Sequence, residues 1–299
     1  MDQRVLVCPK CRASIQPEKN KCICGLPIEI RAGILCINNA FFPDWNHECV
    51  QEAFEKGQYD FYLHDEEING KFMHDFSIPL LDKVFGARSR ESLHILSVGC
   101  GIGADVEILM DLGYDAWGTD CGSRTLFWPT RKHPERLIRC TDEGMPFPEG
   151  YFDFVMCHQV LEHVGVVGDT INLTPNWKER RQTFLHNLVR VTKPRGFLNI
   201  ATPNRLFPID PGHCPNFGGF RIHGPFDYFL TSHGDMKRYF KGHKVSALSP
   251  LGYYAGTALS SKRWVGKPFL VYQRVLDRLS PLQGTALNPL TNVLVQRQV

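Results

Sequence analysis

From residue 94 onward the chain repeats one pattern: a short apolar run, a turn, a helix-compatible stretch, and another apolar run. The runs are His94–Val98, a second closing on Asp120, then 137–140, 152–157, 197–201, 244–248 and 292–296. All are of strand length, and the segments between several of them carry helical spacing, as at 232–240 and 269–279. Strands that alternate with helices predict an α/β fold with a largely parallel sheet. Upstream, 46–56 and 70–85 have apolar residues at helical spacing, the second interrupted by Pro79, and 59–64 is dense in aromatics. Short strands are expected around Val7 and over 26–30.

Most of the chemistry sits between the first two runs. His94–Val98 ends in Gly99, Cys100, Gly101, Ile102 and Gly103, and the second run ends on Asp120, 21 positions after Gly99. Glycines at this point let the backbone turn sharply and approach a ligand, and an acidic residue at this distance can take two ribose hydroxyls. The spacing is G-x-G-x-G and lacks the close-packing third glycine of dinucleotide sites, which favours a nucleoside ligand without phosphates. Further along come Asp142-Glu143-Gly144, then His158-Gln159-Val160-Leu161-Glu162-His163 after the fourth run, and Lys193-Pro194-Arg195-Gly196 before the fifth.

This succession, over about 92–201, resembles the class I S-adenosylmethionine-dependent methyltransferases, most closely the branch with many small-molecule enzymes. The resemblance implies a Rossmann-like sheet of seven strands, order 3-2-1-4-5-7-6, with the last strand antiparallel. It implies that Gly99, Cys100, Gly101 and Gly103 cradle the methionine part of the cofactor. Asp120, with Cys121 beside it, would bind the ribose; Asp142 and Glu143 would contact the adenine; His158 would line the cleft. Arg195 departs from the usual K-P-G-G turn, and 165–177 lengthens the loop after the fourth strand. A Rossmann-like domain for another nucleotide, or an inactive scaffold, are the alternatives.

A second cluster opens the chain. Cys8-x-x-Cys11 is followed by Cys22-x-Cys24-Gly25. Two such knuckles can set four thiolates around Zn²⁺, a closed shell suited to structure rather than catalysis. The unit resembles a zinc ribbon, with the second knuckle one residue shorter than usual; free or oxidisable thiols are the alternative. So short a unit builds little apolar core, so a metal would supply much of its folding energy. The expected organisation is a zinc-ribbon-like domain at 1–37, a helical linker or lid at 38–90, and a methyltransferase domain at 91–299. Insertions at 164–178, 203–230 and 255–290 fall on its substrate side.

Composition narrows the function. At 43% hydrophobic and 22% charged, the chain can bury an ordinary globular core. A net charge of +3, with no basic run interleaved with aromatics, argues against nucleic acid. No apolar stretch is long enough to span a membrane, the first residues lack a secretory core, and the scattered cysteines fit a reducing cytoplasm. The 203–230 loop holds Asp210, His213, Arg221, His223, Asp227 and Tyr228 among prolines and glycines, which suits acceptor recognition. His213 or His223 is the candidate general base. The reading is a methyltransferase for a small molecule or saccharide, with oxygen as the expected acceptor, S-adenosylmethionine as cofactor and structural zinc. A helix near 269–279 would wall the substrate side or make a homodimer contact. The other readings are an rRNA or tRNA methyltransferase and a non-catalytic cofactor-binding partner. The first of these lacks the Asn/Asp-Pro-Pro-aromatic signature after the fourth run, where His158-Gln159-Val160-Leu161 stands.

Overall fold

The computed structural model describes residues 6–43, 47–58, 60–141, 144–168, 170–210, 213, 221–254 and 263–298. A hairpin, β1 (Ile28–Arg31) and β2 (Ile34–Ile37), is followed by helices α1 (His47–Glu55), α2 (Asp60–Phe72) and α3 (Ile78–Phe85). One π-helical turn, Met73–Ser77, joins α2 to α3, and Pro79, which has no N–H to donate back to that turn, is the second residue of α3. The core then runs β3 (His94–Val98), α4 (Ala104–Asp111), β4 (Asp115–Asp120), β5 (Leu137–Arg139), β6 (Phe152–His158), α5 (Trp177–Val191) and β7 (Thr192–Pro203). A two-residue pair, β8 (Ile209–Asp210) and β9 (Arg221–Ile222), follows. The chain ends in α6 (His233–Tyr239), β10 (Lys244–Ala247), α7 (Arg263–Arg278) and β11 (Leu290–Gln296).

The main sheet has the order β1-β2-β5-β4-β3-β6-β7-β11-β10. Counting its strands from β3 in chain order, the run from β5 to β10 reads third, second, first, fourth, fifth, seventh, sixth. β11 is antiparallel to both neighbours, whereas β5, β4, β3, β6 and β7 are mutually parallel. The sheet exceeds the seven expected strands because the N-terminal hairpin docks on its edge: Leu35 and Cys36 of β2 pair in parallel with Ile138 and Arg139 of β5.

Alternate residues of the central strands feed two apolar layers, as a sheet covered on both faces requires. Leu96, Val98, Val155, Cys157, Leu198 and Ile200 face α5 through Phe184, Leu185 and Leu188. Ile95, Ala116, Phe154 and Met156 face the other way, against Val106 and Leu109 of α4 and Leu80 and Leu81 of α3. The N-terminal unit shares the first layer, since Leu6, Cys8, Ile15, Ile28 and Leu35 lie in one cluster with Leu96, Val98 and Trp117. β7 starts five residues before the expected run, absorbing the Lys193-Pro194 turn, with a pairing irregularity between Phe152 and Phe154 of β6. Among the described residues no helix is long and apolar enough to cross a membrane.

Candidate active site

The parallel strands end together, and β3 passes into its glycine turn at that edge. The amides of Gly99 and Cys100 both donate to the carbonyl of Thr119 in β4, at 2.7 and 3.2 Å. Gly99, Gly101 and Gly103 take φ values of +72°, +54° and +79°, a region that side chains resist. At Gly99 there is also no room: a Cβ would lie 2.1 Å from Cγ2 of Val160, so the turn after β6 packs directly on this loop. The indole N–H of Trp128 donates to the carbonyl of Gly101 at 2.7 Å and pins the loop from the far side.

Asp120 closes β4 against this turn. Its carboxylate accepts the amides of Gly101 at 2.8 Å, Cys121 at 2.6 Å and Gly122 at 2.7 Å. Burial raises its pKa, and those three amides oppose the rise. A carboxylate offers about four acceptor positions, so one remains for a hydroxyl group brought to the loop. The Cys100 side chain points instead into the core, beside Gly118, so this residue can meet a ligand only through its backbone. The amide of Cys121 is held by Asp120, and its carbonyl accepts the amide of Phe42. Asp142 and Glu143 lie outside the described residues.

α2 is docked beside the glycine turn by charged contacts. Arg124 meets Asp65 at 2.6 Å, and the buried Arg131 bridges Glu66, at 2.9 Å, to Glu107 of α4. Burial lowers the Arg131 pKa to about 10, which still leaves it charged at neutral pH. Tyr62 and Phe54 pack on Phe127, and His47 bonds the hydroxyl of Ser123 at 2.8 Å.

At the end of β6, His158 is held by neighbours from three other parts of the chain. Its Nε2 lies 2.7 Å from Oδ1 of Asn199, an acceptor, so Nε2 carries the proton. Asn199 in turn donates to Asn292 of β11, and Phe72, Phe76 and Tyr253 surround the ring. Burial pushes its pKa down to about 4. It is a neutral ring wedged between the sheet and the π-turn. His233 at the start of α6 is likewise pushed by burial to about 4. Both folded values lie below the ordinary 6.5, so the unfolded chain binds these protons first as the medium acidifies. Their contribution is complete above about pH 6.5 and is lost between there and pH 4, up to roughly 3 kcal/mol for each ring. Urea titrations at pH 7 and pH 4.5 are expected to show this loss, and His233→Gln should remove part of the slope; equal slopes for both proteins would contradict it.

The two histidines put forward from the 203–230 loop separate. His213 lies with its Nε2 3.3 Å from Nε2 of His163 and its Nδ1 3.0 and 3.1 Å from the carboxylate oxygens of Asp210. Asp210 is buried and also held by Arg221, at 3.1 Å, which reaches on to Asp227. His223 does not join this group; its Nδ1 lies 3.2 Å from the carbonyl of Gly224. Arg181 of α5 went unread in the sequence. It is fully buried, and its guanidinium donates to the carbonyls of Glu162, Val164, Tyr228 and Phe229 at 2.8–3.0 Å. One side chain thus ties the turn after β6 to the 203–230 loop. Its position was visible as a place on the apolar stripe of α5, with Trp177, Phe184, Leu185 and Leu188.

At the other end of the chain the four cysteines of the knuckles converge. The sulfurs of Cys8, Cys11, Cys22 and Cys24 all lie within 4.8 Å of one another. Turns made by Arg12 N–H to the Cys8 carbonyl and Gly25 N–H to the Cys22 carbonyl aim them inward. The Ala13 amide and the Cys22 thiol lower Cys11 to about 7, whereas burial pushes Cys22 up to about 12. Four thiols this close ionise together only around a cation, so the donor set fits tetrahedral Zn²⁺.

Residues 96–200 match the family model described as a methyltransferase domain. The core is a class I S-adenosylmethionine-dependent methyltransferase domain. A ubiquinone biosynthesis O-methyltransferase of Rhodopseudomonas palustris is 33% identical over 118 residues, 38% of this chain and 41% of that protein. A probable S-adenosylmethionine-dependent methyltransferase of Mycolicibacterium smegmatis is 26% identical over 127 residues, 40% of this chain and 44% of that protein. The matches thus span about two fifths of these curated relatives. In the complex between the Trm112 methyltransferase activator and a putative methyltransferase of Haloferax volcanii, one chain is similar at 12% identity and a TM-score of 0.47, covering 86% of this chain and 99% of its own.

Proposed function

We propose that this methyltransferase domain transfers the methyl group of S-adenosylmethionine to an oxygen of a small molecule or saccharide. The observation that carries the reading is the Asp120 carboxylate, fixed by three amides beside the glycine turn with one acceptor position left. That arrangement suits one hydroxyl of the ribose of a nucleoside cofactor, with the turn beneath the methionine part. Asp142 and Glu143 are assigned to the adenine by the family pattern. The sulfonium is already an electrophile, so the protein's task is to place the acceptor in line behind the methyl carbon and exclude water. The parts of the chain suited to that task are the turn after β6 and the 203–230 loop, locked together by Arg181. Oxygen is favoured because several relatives are named O-methyltransferases. Cys8, Cys11, Cys22 and Cys24 would hold a structural zinc ion.

The test is transfer of a labelled methyl group from S-adenosylmethionine into fractionated cell extract. Label in the small-molecule fraction, matched by S-adenosylhomocysteine, is expected. Label confined to RNA would replace the acceptor class, and no transfer to any fraction would favour a non-catalytic partner.

A further inference from the structure

The structure assigns a second metal site: we infer that Glu162, His163 and His213 together bind one divalent transition-metal ion at the end of β6. One carboxylate oxygen and one nitrogen from each ring lie within 4.8 Å of one another. Two ligands each about 2.1 Å from one ion are at most about 4.2 Å apart, so a shift of under ~1 Å closes the set. Glu162 is completely buried, and among the described residues neither of its carboxylate oxygens accepts a hydrogen bond. Its nearest cationic candidate is Nε2 of His213, at 4.0 Å. An ionised carboxylate without hydrogen bonds in such a place costs several kcal/mol unless a cation neutralises it. Arg181, a permanent charge near this turn, is committed to backbone carbonyls, including that of Glu162 itself.

The histidine geometry points to the same ion. Asp210 can only accept, so Nδ1 of His213 carries the proton and its Nε2 presents a lone pair towards His163 and Glu162. A carboxylate behind one ring nitrogen is the usual way to fix the other for metal binding. Arg221 holds that carboxylate in turn. A hydrogen bond between the two Nε2 atoms, 3.3 Å apart, accounts for one proton, but it leaves Glu162 uncompensated. Two imidazoles and a carboxylate suit zinc, iron(II) or cobalt(II) better than magnesium or calcium.

Three protein ligands leave positions open on the ion. Val160, two residues before Glu162, packs on Gly99, so the ion would stand on the acceptor side of the glycine turn. Resting on the methyltransferase reading, the acceptor class is then an oxygen acid such as a phenol or vicinal diol. The ion lowers the pKa of its hydroxyl, whose proton leaves to solvent. That oxygen forms the new C–O bond while the C–S bond breaks and its electron pair returns to sulfur. His213 would act as a ligand and not as a base.

The experiment is a cobalt(II) titration of protein carrying a single equivalent of zinc in its four-cysteine site, followed by visible absorption and calorimetry, with S-adenosylhomocysteine binding measured separately. One further equivalent is expected, without the sulfur-to-cobalt charge-transfer band of a thiolate site. Its affinity should fall at least tenfold in both Glu162→Gln and His213→Ala, with S-adenosylhomocysteine affinity unchanged. His213→Ala decides alone if Glu162→Gln does not fold. No further equivalent, or one that survives His213→Ala, would overturn the site. Failure of S-adenosylhomocysteine to bind would count against the methyltransferase reading and leave the metal result standing.

Discussion

Replacing Arg181 by Met is expected to destabilise the protein by about 4 kcal/mol and to abolish methyl transfer. Hydrogen bonds to a charged group contribute roughly 1.5–3 kcal/mol each, and the four made here share one guanidinium, so they do not simply add. Met fills most of the volume beside Trp177 but leaves buried carbonyls at Glu162, Val164 and Phe229 without a donor. Arg181→Lys should rescue little, because one ammonium on a flexible stem does not reach across the planar fork. Urea denaturation gives the stability, and a methyl-transfer assay well below the unfolding midpoint gives the activity. Cofactor affinity of the folded fraction should persist, since the glycine turn takes no bond from Arg181. A loss under 1 kcal/mol with normal turnover would show that the two loops stand without it.

Removing zinc is expected to have an effect of similar size. Cys8 and Cys22 are buried members of the apolar layer that contains Leu96, Val98 and Trp117. Loss of the ion would therefore loosen the β5 edge of the main sheet as well as the first 37 residues. One equivalent of tightly held zinc is expected, and a strong chelator should lower the melting temperature by more than about 10 °C, corresponding to a few kcal/mol for a chain of this size. Cys22→Ser should reproduce the loss. Less than half an equivalent of zinc, with an unchanged melting curve on chelation, would leave the four thiols as reduced cysteines packed by their turns.

The cofactor side was legible because its signals are local. A strand-length apolar run, three glycines and Asp120 lie within 27 residues, and their spacing alone sets the turn. One strand of the N-terminal hairpin was legible, over 26–30, but not its partner Ile34–Ile37 nor their place at an edge of the main sheet. The hairpin's attachment rests on Leu35 and Cys36 meeting Ile138 and Arg139, about a hundred residues away, and no periodicity records such a pairing. Phe61 and Tyr62 fall at the start of one nearly continuous helical segment ending at Phe85, whose charged residues Asp65 and Glu66 find Arg124 and Arg131 only in three dimensions. His158 illustrates the limit most clearly. Its place at a strand end was legible, whereas its neighbours Asn199, Phe72, Phe76 and Tyr253, drawn from three distant segments, were not. For His213 the sequence supplied a titratable ring in a polar loop, and the fold supplied Glu162 and His163 beside it.

On the reading proposed above, the Gly99 turn and Asp120 form the site of a sulfonium nucleoside. Calorimetric titration of the zinc-loaded protein with S-adenosylhomocysteine tests it most directly, alongside Asp120→Ala and Asp120→Asn. One site is expected in the native protein, and binding at least a hundredfold weaker in Asp120→Ala, a difference of about 2.7 kcal/mol. Asp120→Asn should fall between them, since its single carbonyl oxygen replaces only part of the acceptor set. No binding to the native protein, or equal binding to folded Asp120→Ala, would contradict it.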